Sequence, residues 1–242
     1  MSIMKFDFAG QVAIITGAAG NLGAAVTRAF RSAGAKLALI DRATDSFSTL
    51  FPDFAQAPDC FLAPPTDGAD LGAVALAVDK IKQRFGRIDI LVNTIGGYRA
   101  GTSLHETALK DWEFMLGLNA RSVFVTCQAV IPQMLSQNRG RIINVASRAA
   151  LRGDAGHAAY SASKAAVIRL TESMDAELKD RGLNVNCVMP AIIDTPQNRA
   201  AMPDADFGKW VAPEAVADVI LFLASEGGRA IHGASIPVYG RS

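Results

Sequence analysis

The most constraining feature is an apolar strand, a glycine-rich turn, a helix and a second apolar strand in immediate succession near the N-terminus. The apolar run 12–15 leads into TGAAGNLG at 16–23. The residues that follow have the spacing of an amphipathic helix, which ends at Gly34. A second apolar run, 36–40, is closed by Asp41. This order predicts a βαβ unit, in which a helix joins two parallel strands.

The glycine-rich turn of this unit is suited to bind a nucleotide. Glycines permit positive φ angles and close backbone approach, so backbone N–H groups and the helix N-terminus can hold a pyrophosphate. Asp41 lies 24 residues after Gly17, near the place where an acidic residue binds the adenosine ribose hydroxyls. A plain tight turn is the alternative. The strand before the turn, the helix after it and the acidic residue favour a nucleotide site.

Strands and helices alternate through the rest of the chain. Residues 42–70 are less regular, with several prolines and one short strand. The alternation predicts an α/β fold with an open parallel sheet and helices on both faces, in a single domain over 1–242. The predicted strands are 60–63, 88–92, 141–146, 184–188 and 234–238, and the predicted helices are 71–85, 109–137, 158–180 and 213–225.

Charge and residue usage exclude several classes of partner. The 242 residues contain 24 Lys plus Arg and 23 Asp plus Glu, a net charge of +1. This balance gives no electrostatic argument for nucleic acid or for an anionic membrane. The three cysteines form no C-x-x-C pair and the three histidines are scattered, so we expect no metal site and reduced, buried cysteines.

The sequence also predicts a cytoplasmic protein. The N-terminal stretch MSIMKFDFAG has one Lys and no apolar core, so it is not a signal peptide. No uninterrupted apolar run approaches the length of a membrane span. We therefore expect neither secretion nor membrane insertion.

A tyrosine and a lysine stand four residues apart in the predicted helix 158–180. At this spacing the side chains of Tyr160 and Lys164 share one helix face. A neighbouring ammonium lowers the pKa of a phenol from about 10, so Tyr160 can act as a general acid or base near neutral pH. Ser147 follows the apolar run RIINVA and could hold a substrate oxygen. The Tyr-x-x-x-Lys spacing alone also occurs by chance in many helices.

Further motifs follow in a fixed order along the chain. They are TGAAGNLG, Asp41, Asp67, NTIG at 93–96, Asn119, Ser147, Tyr160 with Lys164, and Pro190 followed by Thr195. This ordered set resembles the classical short-chain dehydrogenases/reductases over essentially the whole chain. The thirteen residues from Ser147 to Tyr160 are that family's usual separation. The resemblance implies a single-domain Rossmann fold with a doubly wound parallel sheet.

The resemblance implies a role for each catalytic position. Tyr160 would donate or accept the proton, and Ser147 would bind the carbonyl or hydroxyl oxygen. Lys164 would hold the nicotinamide ribose and lower the pKa of Tyr160. Asn119 would support a proton-relay water by bending its helix.

The same resemblance implies a cofactor site. The glycines would lie under the pyrophosphate, Asp67 would approach the adenine, and Thr195 would contact the nicotinamide half. The implied positions are Gly17, Gly20, Asn21, Leu22, Gly23, Asp41, Asp67, Asn93, Tyr160, Lys164, Pro190 and Thr195. The Asp41 carboxylate would repel the 2′-phosphate of NADP(H), so we expect NAD(H) to be preferred. NADP(H) stays possible because Arg42 could pair with that phosphate.

Some positions depart from the family pattern. Asn21 stands where the penultimate glycine of the turn is usual, and Asn tolerates positive φ better than most residues. Thr94 and Ile95 replace the usual residues before Gly96, which changes the packing against the cofactor. Ala191 replaces the glycine after Pro190.

We therefore expect an NAD(P)(H)-dependent oxidoreductase that interconverts a small-molecule carbonyl and a secondary alcohol. Residues 194–210 and the GGYRAG stretch look like dihydropteridine reductase, which is an alternative, although those enzymes lack a serine matching Ser147. Another alternative is a non-catalytic protein that senses a nucleotide. The intact set of catalytic residues argues against it. Tyr98 and Trp210 could line a substrate pocket or cover the core, and His157 could face the substrate or the solvent.

The resemblance also implies an assembly. Family members pack their long helices against symmetry mates, here 109–137 and 158–180. Exposed apolar helix faces need such cover. We expect a homotetramer, or a homodimer.

Overall fold

The structure, a computed structural model, describes residues 6–241. Within them, seven strands form one sheet in the order β3-β2-β1-β4-β5-β6-β7, and every neighbouring pair is parallel. The order reverses direction between β1 and β4, which is where doubly wound sheets bind their ligands. The strands are β1 (Val12–Thr16), β2 (Lys36–Ile40), β3 (Cys60–Leu62), β4 (Ile90–Asn93), β5 (Gly140–Val145), β6 (Leu183–Pro190) and β7 (Ser235–Val238).

Helices connect these strands. Single 3₁₀ turns lie in the loops, and α2 and α7 are short helices that the sequence did not predict. The helices are α1 (Asn21–Ser32), α2 (Phe47–Leu50), α3 (Leu71–Phe85), α4 (Leu109–Leu116), α5 (Ser122–Ser136), α6 (Ala158–Leu178), α7 (Pro196–Ala201) and α8 (Pro213–Ala224).

The sheet is apolar on both faces because helices cover both. In β1, Ala13 and Ile15 belong to the core on one face, and Val12 and Ile14 to the core on the other. This alternation is what successive residues of a strand require. Helices α1 and α8 cover the first face, and α3, α5 and α6 cover the second. The doubly wound parallel sheet expected from the sequence is therefore confirmed.

The predicted long helix over 109–137 is wrong in one respect. Helices α4 and α5 run on from each other through a π-helical turn at Gly117–Arg121. The Ser122 hydroxyl donates to the Leu118 carbonyl at 2.6 Å and so satisfies an oxygen within this turn. A π turn inserts one residue without ending the helix. Apolar periodicity cannot detect it, because the residues on either side keep helical spacing.

The same helical stretch bears on the expectation that the chain does not insert into a membrane. Among residues 6–241, Leu109–Ser136 is long and apolar enough to cross a membrane, with a mean hydropathy of 1.4. The criterion of an uninterrupted apolar run therefore missed this stretch, because polar residues interrupt it. In the structure 44% of its most apolar part is buried, and residues such as Val123, Val130 and Met134 pack in the core beneath the sheet. Core helices of soluble proteins pass the same test.

A buried polar network ties the carboxyl ends of the central strands together. The Asn93 amide nitrogen donates to the Asn144 side-chain oxygen at 2.9 Å, and the Asn144 amide donates to Thr171 on α6, also at 2.9 Å. The Asn93 side-chain oxygen accepts from Thr126 on α5 at 2.7 Å and from Thr16 on β1 at 3.3 Å. Three strands and two helices are thereby fixed relative to one another at the edge where the functional residues lie.

Candidate active site

The structure brings the predicted site residues to one edge of the sheet. Parallel strands place their carboxyl ends side by side, and each strand from β1 to β6 ends at or leads into a predicted position. The glycine-rich turn follows β1, Asp41 follows β2 and Asn93 ends β4. Ser147 lies just after β5 and Pro190 ends β6. Asp67 lies in the loop after β3, and Thr195 caps α7.

The glycine-rich turn is packed so tightly that two of its glycine positions leave no room for a side chain. Gly17 has a φ of +68°, and a Cβ there would lie 2.8 Å from the backbone nitrogen of Ile95. A Cβ on Gly23 would lie 2.1 Å from the Gly17 carbonyl oxygen. Gly20 precedes the first turn of α1, and the Leu22 side chain packs against the core instead of the turn. The turn therefore exposes backbone and a helix N-terminus, the surface that a pyrophosphate needs.

Asp41 is fixed beside this turn. Its carboxylate accepts hydrogen bonds at 2.9 Å from the backbone N–H groups of Ala19 and Ala43. The first of these bonds holds the negative charge against the glycine-rich turn. Arg42, the neighbouring residue, is exposed.

The turn is also joined to the segment after β6. The Asn21 side-chain amide donates to the Gln197 side-chain oxygen on α7 at 2.8 Å. The hydroxyl of Thr195 accepts from the backbone of Asn198 at 3.2 Å and so caps α7. A cleft of about 530 Å³ opens between the turn and this segment, lined by Gly20, Asn21, Thr195 and their neighbours. Asn21, which stands where a glycine is usual, thus supplies a hydrogen bond across the cleft.

Two loops pack together at the adenine side of the predicted site. Asp67 is exposed and accepts a hydrogen bond from Ala69 at 2.9 Å, which shapes the turn before α3. A Cβ on the buried Gly68 would lie 2.4 Å from the Ile95 side chain. Ile95 therefore packs against the loop that carries Asp67. The hydroxyl of Thr94 donates to the Thr16 carbonyl at 2.6 Å and ties the β1 and β4 loops together.

Tyr160 lies on the first turns of α6, with its phenol close enough to the Ser147 hydroxyl for that hydroxyl to lower the pKa of the phenol. Ser147 also accepts from the backbone N–H of Ala149 at 3.2 Å, which fixes it at the end of β5. Burial raises the pKa of Tyr160, and the Ser147 hydroxyl acts in the opposite direction. The two hydroxyls are thus brought together as the sequence predicts.

The expected effect of Lys164 on Tyr160 is not found in the structure and needs a correction. Lys164 is buried and its ammonium donates to the Val145 carbonyl at 2.9 Å. Burial lowers the pKa of Lys164 from 10.5 to about 8. Burial of Tyr160 itself raises the pKa of the phenol. Helical spacing puts both groups on one face, but it does not reveal that burial is the largest cause of the pKa shift of each group.

Asn119 and Lys164 converge on the backbone of Gly96. A Cβ on Gly96 would lie 3.0 Å from the Asn119 side-chain oxygen and 3.1 Å from the Lys164 nitrogen. Asn119 is held there because its oxygen accepts from the Gly97 N–H at 3.0 Å and its amide donates to Ser163 at 2.9 Å. The π turn carries Asn119 into this position. Gly96 is required because it leaves room for both polar side chains.

Several residues that build the site were missed by the sequence reasoning. Ser163 joins Asn119 to α6, because its hydroxyl also donates to the Tyr160 carbonyl at 2.7 Å. Asn144 and Thr171 belong to the buried network, and polar residues inside apolar runs could have indicated them. No pattern in the sequence indicated Gln197, since its hydrogen-bond partner Asn21 is distant in the chain. Trp210 is half-buried and packs against the Phe207 ring, with centroids 4.8 Å apart.

The geometry fits a nicotinamide dinucleotide. The glycine-rich turn would hold the pyrophosphate, and Asp41 would hold a ribose. Lys164 could donate to a second ribose, because its bond to the Val145 carbonyl uses only one of the N–H groups of the ammonium. Among residues 6–241 no group of three or more His, Cys, Asp or Glu side chains could hold a metal ion. Beside this cradle lie a serine and a tyrosine hydroxyl, which can bind and protonate one substrate oxygen.

Comparison with known proteins identifies the family. Residues 11–206 match the family model of the short chain dehydrogenases. The chain is a short-chain dehydrogenase. Its membership makes it an oxidoreductase that interconverts an alcohol and a carbonyl group with a nicotinamide cofactor.

Relatives cover almost the entire chain. D-threitol dehydrogenase of Mycolicibacterium smegmatis is 34% identical, over 98% of this chain and 95% of its own. Meso-2,3-butanediol dehydrogenase of Serratia marcescens is 33% identical, over 98% and 95%. The structure of a xylitol dehydrogenase bound to NAD⁺ superposes with a TM-score of 0.87 at 26% identity, over 96% of this chain and 99% of that one. This likeness confirms the Rossmann-type fold of the short-chain dehydrogenase.

The lowered pKa of Lys164 predicts how its burial affects stability. Below pH 8 the ammonium is charged in both folded and unfolded chains, and its burial destabilises the fold. Between about pH 8 and 10.5 the folded chain loses this proton first, so the penalty fades as the pH rises. Replacement by Met removes the penalty at every pH. The melting temperature of Lys164→Met relative to the unmutated protein should therefore fall as the pH rises from 8 to 10.5.

The matched control is Lys80→Met, because Lys80 is exposed on α3. Its melting temperature relative to the unmutated protein should stay constant over the same range. Thermal unfolding followed by circular dichroism measures both. A constant difference for Lys164→Met as well would contradict the buried-ammonium interpretation.

Proposed function

We propose that Tyr160 transfers the proton and Ser147 binds the reacting oxygen in the interconversion of a secondary alcohol and a ketone. The observation that carries this proposal is the proximity of the two hydroxyls at the edge of the cofactor cradle, where Ser147 acts on the Tyr160 phenol. An alcohol oxygen between them would lose its proton to Tyr160 as the carbonyl forms, and a carbonyl oxygen would accept that proton in reverse. The nicotinamide cofactor supplies or accepts the hydride.

We propose that Lys164 and Asn119 support this step. The Lys164 ammonium would bind the nicotinamide ribose. With a pKa of about 8 it changes charge near neutral pH, so it can also pass a proton. Asn119 would hold a relay water, and its two hydrogen bonds to the Gly97 backbone support a fixed position.

For the cofactor we propose a preference for NAD(H) over NADP(H). The dinucleotide would be held by the glycine-rich turn, Asp41, Asp67, Pro190 and Thr195, together with Tyr160 and Lys164. Asn93, buried in the core, would stabilise the sheet edge behind the pyrophosphate. The bond from Ala19 to Asp41 supports the preference, because it fixes a carboxylate where a 2′-phosphate would have to lie. The xylitol dehydrogenase neighbour has NAD⁺ bound, which agrees with this choice.

The names of three of the similar proteins support small polyols and diols as substrates of this chain. Threitol, butanediol and xylitol dehydrogenases all act on compounds with hydroxyl groups on adjacent carbons, as their names state. A dihydropteridine reductase activity is not favoured by these comparisons, and neither is a non-catalytic nucleotide-sensing role. The reaction class follows from the family, and the substrate remains a proposal.

We further propose a single domain over 1–242 that assembles as a homotetramer, or a homodimer, in the cytoplasm. One continuous sheet supports the single domain. Large apolar side chains are exposed on the α4–α5 stretch and just before it, and such a cluster favours burial by another copy. They are Leu104, Leu109, Trp112, Phe114 and Phe124.

Tyr160→Phe tests the proposed function. The variant keeps the ring and removes the hydroxyl that carries the proton, so kcat should fall by about 100-fold or more while NADH still binds. Steady-state kinetics and NADH fluorescence titration measure the two quantities. Ser161→Ala is the matched control, since it removes a neighbouring buried hydroxyl that has no hydrogen-bond partner within residues 6–241. A Tyr160→Phe variant that keeps more than about a tenth of kcat would exclude the role.

Asp41→Asn tests the cofactor preference. The substitution removes the charge, and the Asn side-chain oxygen can still accept from Ala19. The ratio of kcat/KM with NADH to kcat/KM with NADPH should exceed about tenfold in the unmutated protein and fall by about tenfold in the variant. Asp45→Asn, an exposed charge on the next turn, should leave the ratio unchanged. Equal or better use of NADPH by the unmutated protein would show that Arg42 sets the choice.

Phe124→Glu tests the assembly. Phe124 lies on α5 with 50% of its surface exposed, and a carboxylate there would prevent burial against another copy. Light scattering at micromolar concentration should give a multiple of the chain mass for the unmutated protein and a lower mass for the variant. Leu76→Glu on α3, 65% exposed, is the control and should assemble normally. A monomeric unmutated protein would refute the proposal.

A further inference from the structure

Two polar residues that the proposed reaction does not use meet directly beside Tyr160. The Tyr98 hydroxyl lies 2.7 Å from the Nε2 atom of His157. The Tyr98 ring is in edge contact with the Tyr160 ring, with centroids 4.9 Å apart and planes at 80°. Tyr98 is 63% exposed, so it does not serve as a core residue. It forms a polar wall next to the reacting hydroxyls.

The hydrogen bonds of His157 fix which atom donates. Its Nδ1 atom lies 2.9 Å from the Ala155 carbonyl oxygen, which can only accept. Nδ1 therefore carries the proton, and in the neutral ring Nε2 is an acceptor. The Tyr98 hydroxyl then donates to Nε2. Its oxygen keeps its acceptor capacity, and a substrate hydroxyl can donate to it.

The surroundings of the pair favour an uncharged substrate group. Arg99 follows Tyr98 in the chain, but its guanidinium forms an ion pair with Asp111 and lies 4.3 Å from the centre of the Phe114 ring. This cation is directed to α4 and is already paired. The group presented to the substrate by Tyr98 is thus a neutral acceptor, which a carboxylate or phosphate of the substrate would not match.

We propose that Tyr98, oriented by His157, binds a second hydroxyl of the substrate on the carbon next to the reacting one. The chain would then prefer vicinal diols and α-hydroxy ketones to the corresponding mono-alcohols and ketones. This proposal rests on the proposed role of Tyr160, whose ring contact with Tyr98 places the second hydroxyl within reach of the same small molecule. Tyr98 is a specificity residue, and His157 is a positioning residue that acts through it.

The test compares matched substrates that differ by one hydroxyl. The pairs are acetoin with 2-butanone and 2-hydroxycyclohexanone with cyclohexanone for reduction, and 2,3-butanediol with 2-butanol for oxidation. In the unmutated protein kcat/KM should favour the hydroxylated member by about tenfold or more, since a site built to bind a hydroxyl discriminates against its absence. Tyr98→Phe should lower kcat/KM for the hydroxylated members by about tenfold and change the others by less than about twofold.

A second variant separates orientation from ring packing. His157→Leu removes the acceptor and leaves the Tyr98 ring, so the preference for the hydroxylated members should fall while activity on 2-butanone persists. His105→Leu, at an exposed histidine in another loop, is the control and should keep the preference. Rescue of the preference in His157→Gln, whose side-chain oxygen accepts, would support the positioning role.

The outcomes separate this proposal from the one on which it rests. Equal kcat/KM for the paired substrates in the unmutated protein would overturn the subsite, and so would an equal loss on both members in Tyr98→Phe. If neither series is turned over although NADH binds, or if Tyr160→Phe retains activity, the proposed function itself fails. A preference that disappears in Tyr98→Phe, with 2-butanone turnover retained, supports both.

Discussion

The buried hydrogen bonds of Asn93 are the interaction on which the rest of the site depends. Asn93 joins β1, β4 and β5 and, through Thr126, holds α5, while Asn144 extends the same network to Thr171 on α6. Inside a low-dielectric core an unpaired amide is costly, so a network with every member paired admits few arrangements of these elements. Helix α6 carries Tyr160 and Lys164, and the helical stretch of α5 leads back to Asn119. The position of the proposed catalytic groups is therefore set by polar contacts below the site as well as by the apolar packing of the sheet.

Two parts of the site respond differently to their surroundings. The glycine-rich turn is rigid for steric reasons, since Gly17 and Gly23 lie too close to neighbouring backbone for any side chain. The proposed catalytic pair is controlled by desolvation, which raises the pKa of Tyr160 and lowers that of Lys164 and so favours the neutral form of each. A bound dinucleotide would bring negative charge near a lysine that is held partly neutral. Cofactor binding and protonation of Lys164 should therefore be coupled, as linked equilibria require.

Much of this arrangement could be predicted from sequence because the signals were local. Apolar runs placed every strand, and β1, β2 and β7 agree with the prediction to within one residue at each end. Gly17, Asp41, Ser147 and Tyr160 follow strands or begin helices, so their place at the carboxyl edge followed from the parallel order. What depended on contacts between distant segments was not visible. The bond from Asn21 to Gln197 spans 176 residues, and that from Tyr98 to His157 spans 59. The direction of the Tyr160 shift also needed burial, which spacing does not report.

The π turn at Gly117–Arg121 determines how this chain would respond to a change of length at that point. A π turn holds one residue more than an α-helix of the same rise, so a deletion of one codon here would leave an unbroken helix and no exposed break. The deletion would leave α4 and α5 nearly in phase, because the turn takes up its extra residue by widening and not by added rotation. What would change is the backbone of the turn that carries Asn119, whose side chain bonds to Gly97 and Ser163. The length of the chain at this point is therefore constrained by the position of Asn119, although the segment would remain helical with or without the residue.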